Sequence, residues 1–240
     1  MQTTAVEKIR GQVIWYNTHI LPKVSLEFFD LDWHYSCGGV HGSAPGRGRA
    51  HFLFAQGYEL VLRPFRRGGL IGKINPDLYI RTGATFSRPF REYCLLEWMY
   101  KNKLPVPRPV AARYSPYGLC YRADLVTQCI PHARPLADIL LEMALPLGTW
   151  SSIGAVIHQM HALDVHHSDL NCRNILLDSD LKVWLIDFDK CRRRKSGGWK
   201  VQNLTRLKRS LDKENLKHRG LFWQNEAWSA LLAGYETSTF

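Results

Sequence analysis

Two blocks constrain this 240-residue chain more than any others: Met160-His-Ala-Leu-Asp-Val-His-His-Ser-Asp-Leu-Asn-Cys-Arg-Asn-Ile-Leu-Leu177 and Trp184-Leu-Ile-Asp-Phe-Asp189. Together they read as a β-hairpin, Asn174–Leu177 and Val183–Ile186, with Ser179-Asp180 at its turn. A hairpin brings its two ends together. Asn174 at the entrance and Asp187 at the exit can therefore share one divalent cation. Magnesium suits such a place, because it takes oxygen ligands, one or two carboxylates plus substrate phosphates. Asp169 lies five residues before Asn174 on the preceding loop. There it is placed to accept the proton of an acceptor hydroxyl, with His167 bracing the loop. This is an arrangement for phosphoryl transfer. Taken singly, Asp and Asn in a loop do no more than cap turns. The two blocks in register after a helix are what favour the chemical reading.

Around these blocks the chain changes character. Ala50–Ala55 and Tyr58–Arg63 are β-type runs joined through Gln56-Gly57, a hairpin signal. Cys37–Arg49 holds five glycines in thirteen residues and reads as a loop. Ser87–Asn102 has helical periodicity, ended by Pro105, Pro107 and Pro109. Leu119–Ile130 reads as strand in two pieces, and Pro131–Pro135 as a linker. Leu136–Leu145 and Trp150–Leu163 follow as helices, and the tail Lys200–Ala233 is mostly helical. The expectation is an α+β fold in two lobes, β-rich over residues 1–130 and helical over 131–240.

Lys and Arg number 32 against 21 Asp and Glu, a net charge of +11, which calls for an anionic partner: nucleic acid, an acidic membrane or a phosphorylated substrate. The surplus concentrates late, in Arg192-Arg-Arg-Lys195, Lys200, Arg206, Lys208, Arg209, Lys213, Lys217 and Arg219. Trp199, Leu207 and Leu211 interleave with it, which suggests a helix facing lipid or substrate; a solvated helix face is the plainer alternative. An apolar content of 45% excludes global disorder. The six cysteines form no C-x-x-C and are expected as reduced, structural thiols. Met1–Gly11 has no secretory character, and Met143–Ile157 is too short and too broken to span a bilayer. A cytoplasmic protein with at most peripheral membrane contact is expected. His158 and His161, three apart on a helix, are better read as core than as metal ligands.

The spacing H-x-D-L-x-x-x-N followed by D-F-x resembles the protein-kinase-like superfamily. Ser168 stands where that superfamily usually has Arg, and Asp189 where D-F-G has Gly. No A-P-E separates Asp189 from the helical tail. These departures point away from protein substrates and toward a small molecule or lipid-linked sugar. Leu62-Arg-Pro-Phe-Arg-Arg-Gly-Gly-Leu70, Leu104–Tyr114, Tyr121–Thr127, His167–Asn171, Trp184–Asp189 and Asn203–Leu211 are similar to the lipopolysaccharide-core kinases. Among these they are most like the kinases acting on 3-deoxy-D-manno-octulosonic acid (Kdo). The resemblance spans roughly residues 35 to 215.

It implies ATP and Mg2+ as cofactors, Asp169 as catalytic base, and Asn174 and Asp187 as metal ligands. It implies transfer to the 4-hydroxyl of a Kdo sugar on a lipid A precursor. The expected location is the cytoplasmic side of the inner membrane, held peripherally by anionic lipid, with no nucleic-acid partner. A core heptose kinase is the nearest alternative, and a non-catalytic kinase-like protein binding nucleic acid a remote one. In such folds a strand Lys pairs with a helical Glu to hold nucleotide phosphates. Here Arg63 occupies the strand position, with Lys73 as competitor, and Glu92 is the partner acid, with Glu97 as alternative. Backbone N–H groups around Gly46 and Gly48 are candidates to cover the phosphates; a plain flexible turn is the alternative.

Overall fold

The computed structural model describes residues 4–44, 50–66, 77–81, 83–195, 197–218 and 220–237. The chain divides into two compact units, residues 1–97 with 108–129, and residues 98–107 with 130–240. The first is sheet-rich and the second helical, as the α+β expectation requires.

The first unit is built on an eight-stranded antiparallel sheet. Its strands are β1 (Thr4–Ile9), β2 (Gln12–Asn17), β3 (Val40–Ala44), β4 (Ala50–Ala55), β5 (Tyr58–Pro64), β6 (Tyr79–Ile80), β7 (Pro109–Tyr117) and β8 (Cys120–Gln128). Their order is β1-β2-β7-β8-β5-β4-β3, with β6 against the start of β8. The β4–β5 turn has Gln56 at φ 55° and Gly57 at φ 78°. Two successive positive φ values match the right-handed twist of the flanking strands. Arg10-Gly11 repeats the device between β1 and β2. Alternation sends Leu53, Leu60, Leu62 and Val126 to one face. There they pack with Ile14, Tyr16, Ile20, Leu21, Phe28 and Phe29 into one apolar cluster. Helix α1 (Leu31–Ser36) starts at Asp30, whose carboxylate accepts from the Asp32 and Trp33 amides. Helix α2 (Arg88–Lys101) buries Glu92, Tyr93, Leu96 and Met99, at the three- and four-residue spacing of one helix face.

In the second unit, α3 (Leu136–Ile139), α4 (Leu147–Ala162), α5 (Trp199–Lys217) and α6 (Asn225–Thr237) surround short strands. These are β9 (Arg134–Pro135), β10 (Val165–His166), β11 (Ile175–Leu177), β12 (Val183–Leu185) and β13 (Arg192–Arg193). They pair as β12-β11-β9 and β10-β13. Helices α4 and α6 approach backbone to backbone. A Cβ on Gly154 would stand 1.9 Å from the Leu231 carbonyl oxygen, and one on Gly234 would stand 2.1 Å from that of Ser151.

Several expectations are corrected. Val40–Ala44, expected inside a glycine-rich loop, is an edge strand held by backbone bonds to β4. The two pieces expected over Leu119–Ile130 are one strand, Cys120–Gln128. Within the expected linker, Arg134 and Pro135 pair with β11 from its edge, where a proline is tolerated. The helix expected over Leu136–Leu145 stops at Ile139. Beyond it Leu140 and Leu145 are buried while Leu141 and Met143 are exposed, a pattern met by turns rather than by a continued helix. All six cysteines are free thiols, as expected.

Candidate active site

The loop after β10 is fixed by an amide from α5. Asn203 Nδ2 donates to the His167 carbonyl at 2.8 Å, and Asn203 Oδ1 accepts from the His167 N–H at 3.2 Å. The same Oδ1 accepts from His161 Nε2 at 3.2 Å, and His161 Nδ1 meets the Tyr235 hydroxyl at 2.9 Å. An amide oxygen only accepts, so Nε2 carries the His161 proton and Nδ1 accepts from Tyr235. Burial drives the His161 pKa down to about 4, keeping the ring neutral. This settles His161 as a buried bracing residue, and the His158 ring packs on Tyr235.

His167 is fully buried. The Asp169 N–H donates to its Nδ1 at 3.2 Å, so Nε2 carries the proton that goes to the Ile186 carbonyl at 3.0 Å. Burial lowers its pKa, against the opposing pull of the Ile186 carbonyl and of Asp187 and Asp169. A neutral imidazole thus ties the loop to the residue before Asp187. Its ring lies 4.8 Å from that of Phe188.

Asn174 Nδ2 and Asn171 Nδ2 both donate to the Asp169 carbonyl at 2.9 Å. The Ile186 N–H donates to the Asn174 carbonyl at 3.0 Å, closing the hairpin end. A short path of hydrogen bonds therefore runs from the Asp169 carbonyl through Asn174 to Ile186, the residue before Asp187. With its nitrogen engaged, Asn174 has Oδ1 as the side-chain atom that could ligate a metal. Asp187 sits at φ 63°, the left-handed region that short Asp side chains visit more readily than most. Strained backbone of this kind collects at functional sites. Among the described residues no group of three or more His, Cys, Asp and Glu side chains could hold a metal ion. One carboxylate plus an amide oxygen is instead a hard, open donor set. That fits magnesium, which keeps waters and phosphates as its remaining ligands.

The Asp169 carboxylate, half exposed, accepts from Arg206 on α5. Nη2 donates at 2.7 Å and Nε at 3.0 Å, both to Oδ1. Farther along the same loop, Arg173 bridges Glu214 at 2.9 Å and Asp138 at 3.2 Å. Burial alone would raise the Glu214 pKa, but Arg173 and Lys217 more than offset it and hold the carboxyl low.

In the first unit, Arg63 on β5 and Glu92 on α2 form a direct ion pair, with Glu92 only 3% exposed. The Arg63 guanidinium also lies over the Phe65 ring at 4.8 Å. Glu97, the alternative partner acid, accepts from Thr4 Oγ1 instead. Gly46, Gly48 and Lys73 lie outside the described residues.

The reading of the basic tail needs one correction. Trp199, Asn203, Leu207, Leu211 and Glu214 form the buried stripe of α5. Trp199, Leu207 and Leu211 therefore face inward and offer nothing to lipid. Outward, the helix presents its cations together with the exposed Val201 and Leu216, with Lys208 paired to Asp212 at 3.1 Å and Lys217 to Glu214 at 2.9 Å. No helix among the described residues is long and apolar enough to cross a membrane.

Asn203, Tyr235 and the special position of Arg206 escaped the sequence reading. Asn203 and Arg206 are three apart, hence neighbours on one helix face. That signal was present in Asn203-Leu-Thr-Arg206, but nothing in a single sequence says which loop a helix face meets.

Residues 32–235 match the model of the lipopolysaccharide kinase (Kdo/WaaP) family. A protein of Vibrio parahaemolyticus serotype O3:K6 named 3-deoxy-D-manno-octulosonic acid kinase is 44% identical over 221 residues, 92% of each chain. One of the same name from Photobacterium profundum is 43% identical over 226 residues, 94% of this chain and 95% of the other. Another, from Haemophilus influenzae strain PittGG, is 41% identical over 217 residues, 87% of this chain and 90% of the other. With the H-x-D-L-x-x-x-N loop and its hairpin in place within the matched span, the chain belongs to the lipopolysaccharide kinase (Kdo/WaaP) family.

Proposed function

We propose that this protein transfers the γ-phosphoryl group of ATP to the 4-hydroxyl of a Kdo sugar on a lipid A precursor. Support comes from family membership, from relatives named for Kdo, and above all from one contact. The Asn174 side-chain amide donates to the Asp169 carbonyl, which supports reading this loop as one frame for a base and a metal-ligand oxygen.

In this reading Asp169 accepts the proton of the sugar O4–H. The O4–P bond forms as the bond from phosphorus to the ADP oxygen breaks, so ADP leaves with the electron pair. Asn174 Oδ1 and Asp187 would hold magnesium, which when bound neutralises charge on the phosphate oxygens. Arg63, steered by Glu92, takes nucleotide phosphate. Residues 1–130 thus serve the nucleotide, and residues 131–240 carry the base, the metal ligands and the basic helix. Arg63 in place of Lys gives a planar, bidentate phosphate contact in place of a point charge. The cationic surface of α5 and Arg192–Lys195 holds the protein peripherally on the anionic cytoplasmic face of the inner membrane. With the buried stripe of α5 turned inward, that attachment is mainly electrostatic, the exposed Val201 and Leu216 adding a small apolar part.

The test is mass spectrometry of Kdo-bearing lipid A precursor after incubation with the protein, ATP and magnesium. A heptosylated acceptor runs in parallel. One added phosphate on the Kdo acceptor is expected. Transfer to the heptose alone would refute the assignment.

A further inference from the structure

We propose that Arg206 selects the acceptor by binding the carboxylate of the sugar acid while Asp169 beside it takes the hydroxyl proton; this rests on the reading just given. Arg206 gives its Nε and Nη2 hydrogens to a single oxygen, Asp169 Oδ1, at 3.0 and 2.7 Å. That contact occupies the inner edge of the guanidinium. Its outer edge, Nη1 with the second Nη2 hydrogen, is the one that takes a carboxylate in two parallel bonds. Asp169 Oδ2 accepts no hydrogen bond among the described residues, so it is the oxygen available to an acceptor hydroxyl. Both side chains are about half exposed and open to a ligand of sugar size.

The substrate chemistry presents the matching pair. An ulosonic acid carries its C1 carboxylate on ring carbon C2, and the 4-hydroxyl stands on C4 of the same ring. Anion and acceptor hydroxyl therefore arrive together, two ring carbons apart. The protein offers cation and base in direct contact. Without Arg206, the substrate carboxylate and Asp169 would face each other as like charges, and binding would suffer from repulsion as well as from a lost bond.

The rigidity needed for selection is also present. Arg206 lies one turn beyond Asn203, whose amide is bonded twice to the His167 backbone. Leu207, next to Arg206, is fully buried. Helix and catalytic loop thus share one frame. A site that pairs with a particular polar group rejects analogues lacking it far better than an apolar pocket does. A neutral core sugar would leave the outer edge of Arg206 without a partner.

The experiment measures kcat and KM for wild type, Arg206→Lys and Arg206→Gln. The acceptors are Kdo-bearing lipid A precursor and the same lipid with the Kdo carboxyl converted to its methyl ester. For wild type the ester should lower kcat/KM by roughly 10- to 100-fold, the range of one charge-assisted hydrogen bond, mostly through acceptor KM. In Arg206→Gln the acid should lose a similar factor and the ester penalty should vanish, with KM for ATP unchanged. Arg206→Lys should recover only part of the acid preference. An ester penalty that persists in Arg206→Gln overturns the proposal, as does a fall in kcat with acceptor KM unchanged, which is the result of merely orienting Asp169. Wild-type protein that transfers phosphate to neither Kdo acceptor overturns the functional reading as well, so the two failures are distinct. Thermal melts of each variant confirm that the half-exposed pair has been changed without unfolding.

Discussion

Gly154→Ala sets two physical effects against each other, and the structure decides between them. Helix propensity alone says that Ala in the middle of α4 stabilises by about 1 kcal/mol. The new Cβ would sit 1.9 Å from the Leu231 carbonyl oxygen and 2.7 Å from the Tyr235 nitrogen. Real Cβ atoms essentially never come within 3.0 Å, so α4 and α6 must part by about 1 Å. The obstacle is backbone, so no rotamer change relieves it. Overpacking of this kind costs about 1–3 kcal/mol. A gap of up to about 1 Å also forfeits a quarter to a half of each dispersion contact it opens. The face that opens includes Leu231, which is fully buried. The combined cost is about 3 kcal/mol, leaving a net loss of about 2 kcal/mol after the propensity gain. For a chain of this size that lowers Tm by about 4–8 °C. The assay is thermal melting by circular dichroism, with Gly148→Ala as control. Gly148 is in the first turn of α4 with nothing within 4 Å of the added Cβ. Gly148→Ala should melt at or slightly above wild type, and Gly154→Ala clearly below. If Gly154→Ala melts with the control, the backbone contact between α4 and α6 is not the constraint described.

Asp169→Asn should reduce turnover by about 10²- to 10⁴-fold while ATP binding survives; full activity in that variant would remove Asp169 from the role of base. Asp187→Ala should weaken ATP binding in the presence of magnesium and leave magnesium-free binding nearly unchanged, as read by calorimetry. Stability should fall in acid for a stated reason: His161 titrates at about 4 when folded and near 6.5 when unfolded, so between these values the unfolded chain holds the extra proton. The contribution is fully present above pH 6.5 and lost as the pH drops toward 4, about 3 kcal/mol in all. His167, also shifted down by burial, acts in the same direction. Denaturant melts from pH 7 to 4 check this, and Tyr235→Phe, which removes the hydroxyl bonded to His161, should alter the slope. Binding to anionic vesicles should weaken steeply with salt; insensitivity to salt would point to apolar insertion instead.

What could be read in advance follows from the range of each interaction. The hairpins at Gln56-Gly57 and at residues 174–186 were legible because strand, turn and strand are contiguous. Arg10-Gly11 carried the same turn signal, yet the β1–β2 hairpin went unread, since a turn says nothing until the runs beside it are weighed. Strand β3 was hidden because its place comes from backbone pairing with β4, while its composition speaks of a loop. Asp169, Asn174 and Asp187 could be read as one candidate group because they are close in sequence and the hairpin closes between Asn174 and Ile186. The Arg63–Glu92 pair was guessed from position within a pattern, and only the fold chose Glu92 over Glu97. Asn203 and Tyr235 were invisible for the opposite reason: their partners lie 36 and 74 residues away. The misreading of Leu207 and Leu211 as lipid-facing shows the same limit, for periodicity identifies a stripe without saying what covers it.

The path from Tyr235 through His161 and Asn203 to the His167 backbone has a consequence for synthesis. Translation delivers the loop that carries Asp169 long before it delivers Tyr235, 74 residues beyond His161. A growing polypeptide on the ribosome therefore holds that loop while His161 still lacks its hydroxyl partner. The bracing path closes only once α6 has emerged and docked against Gly154, so the loop is among the last parts of this unit to be fully tied down.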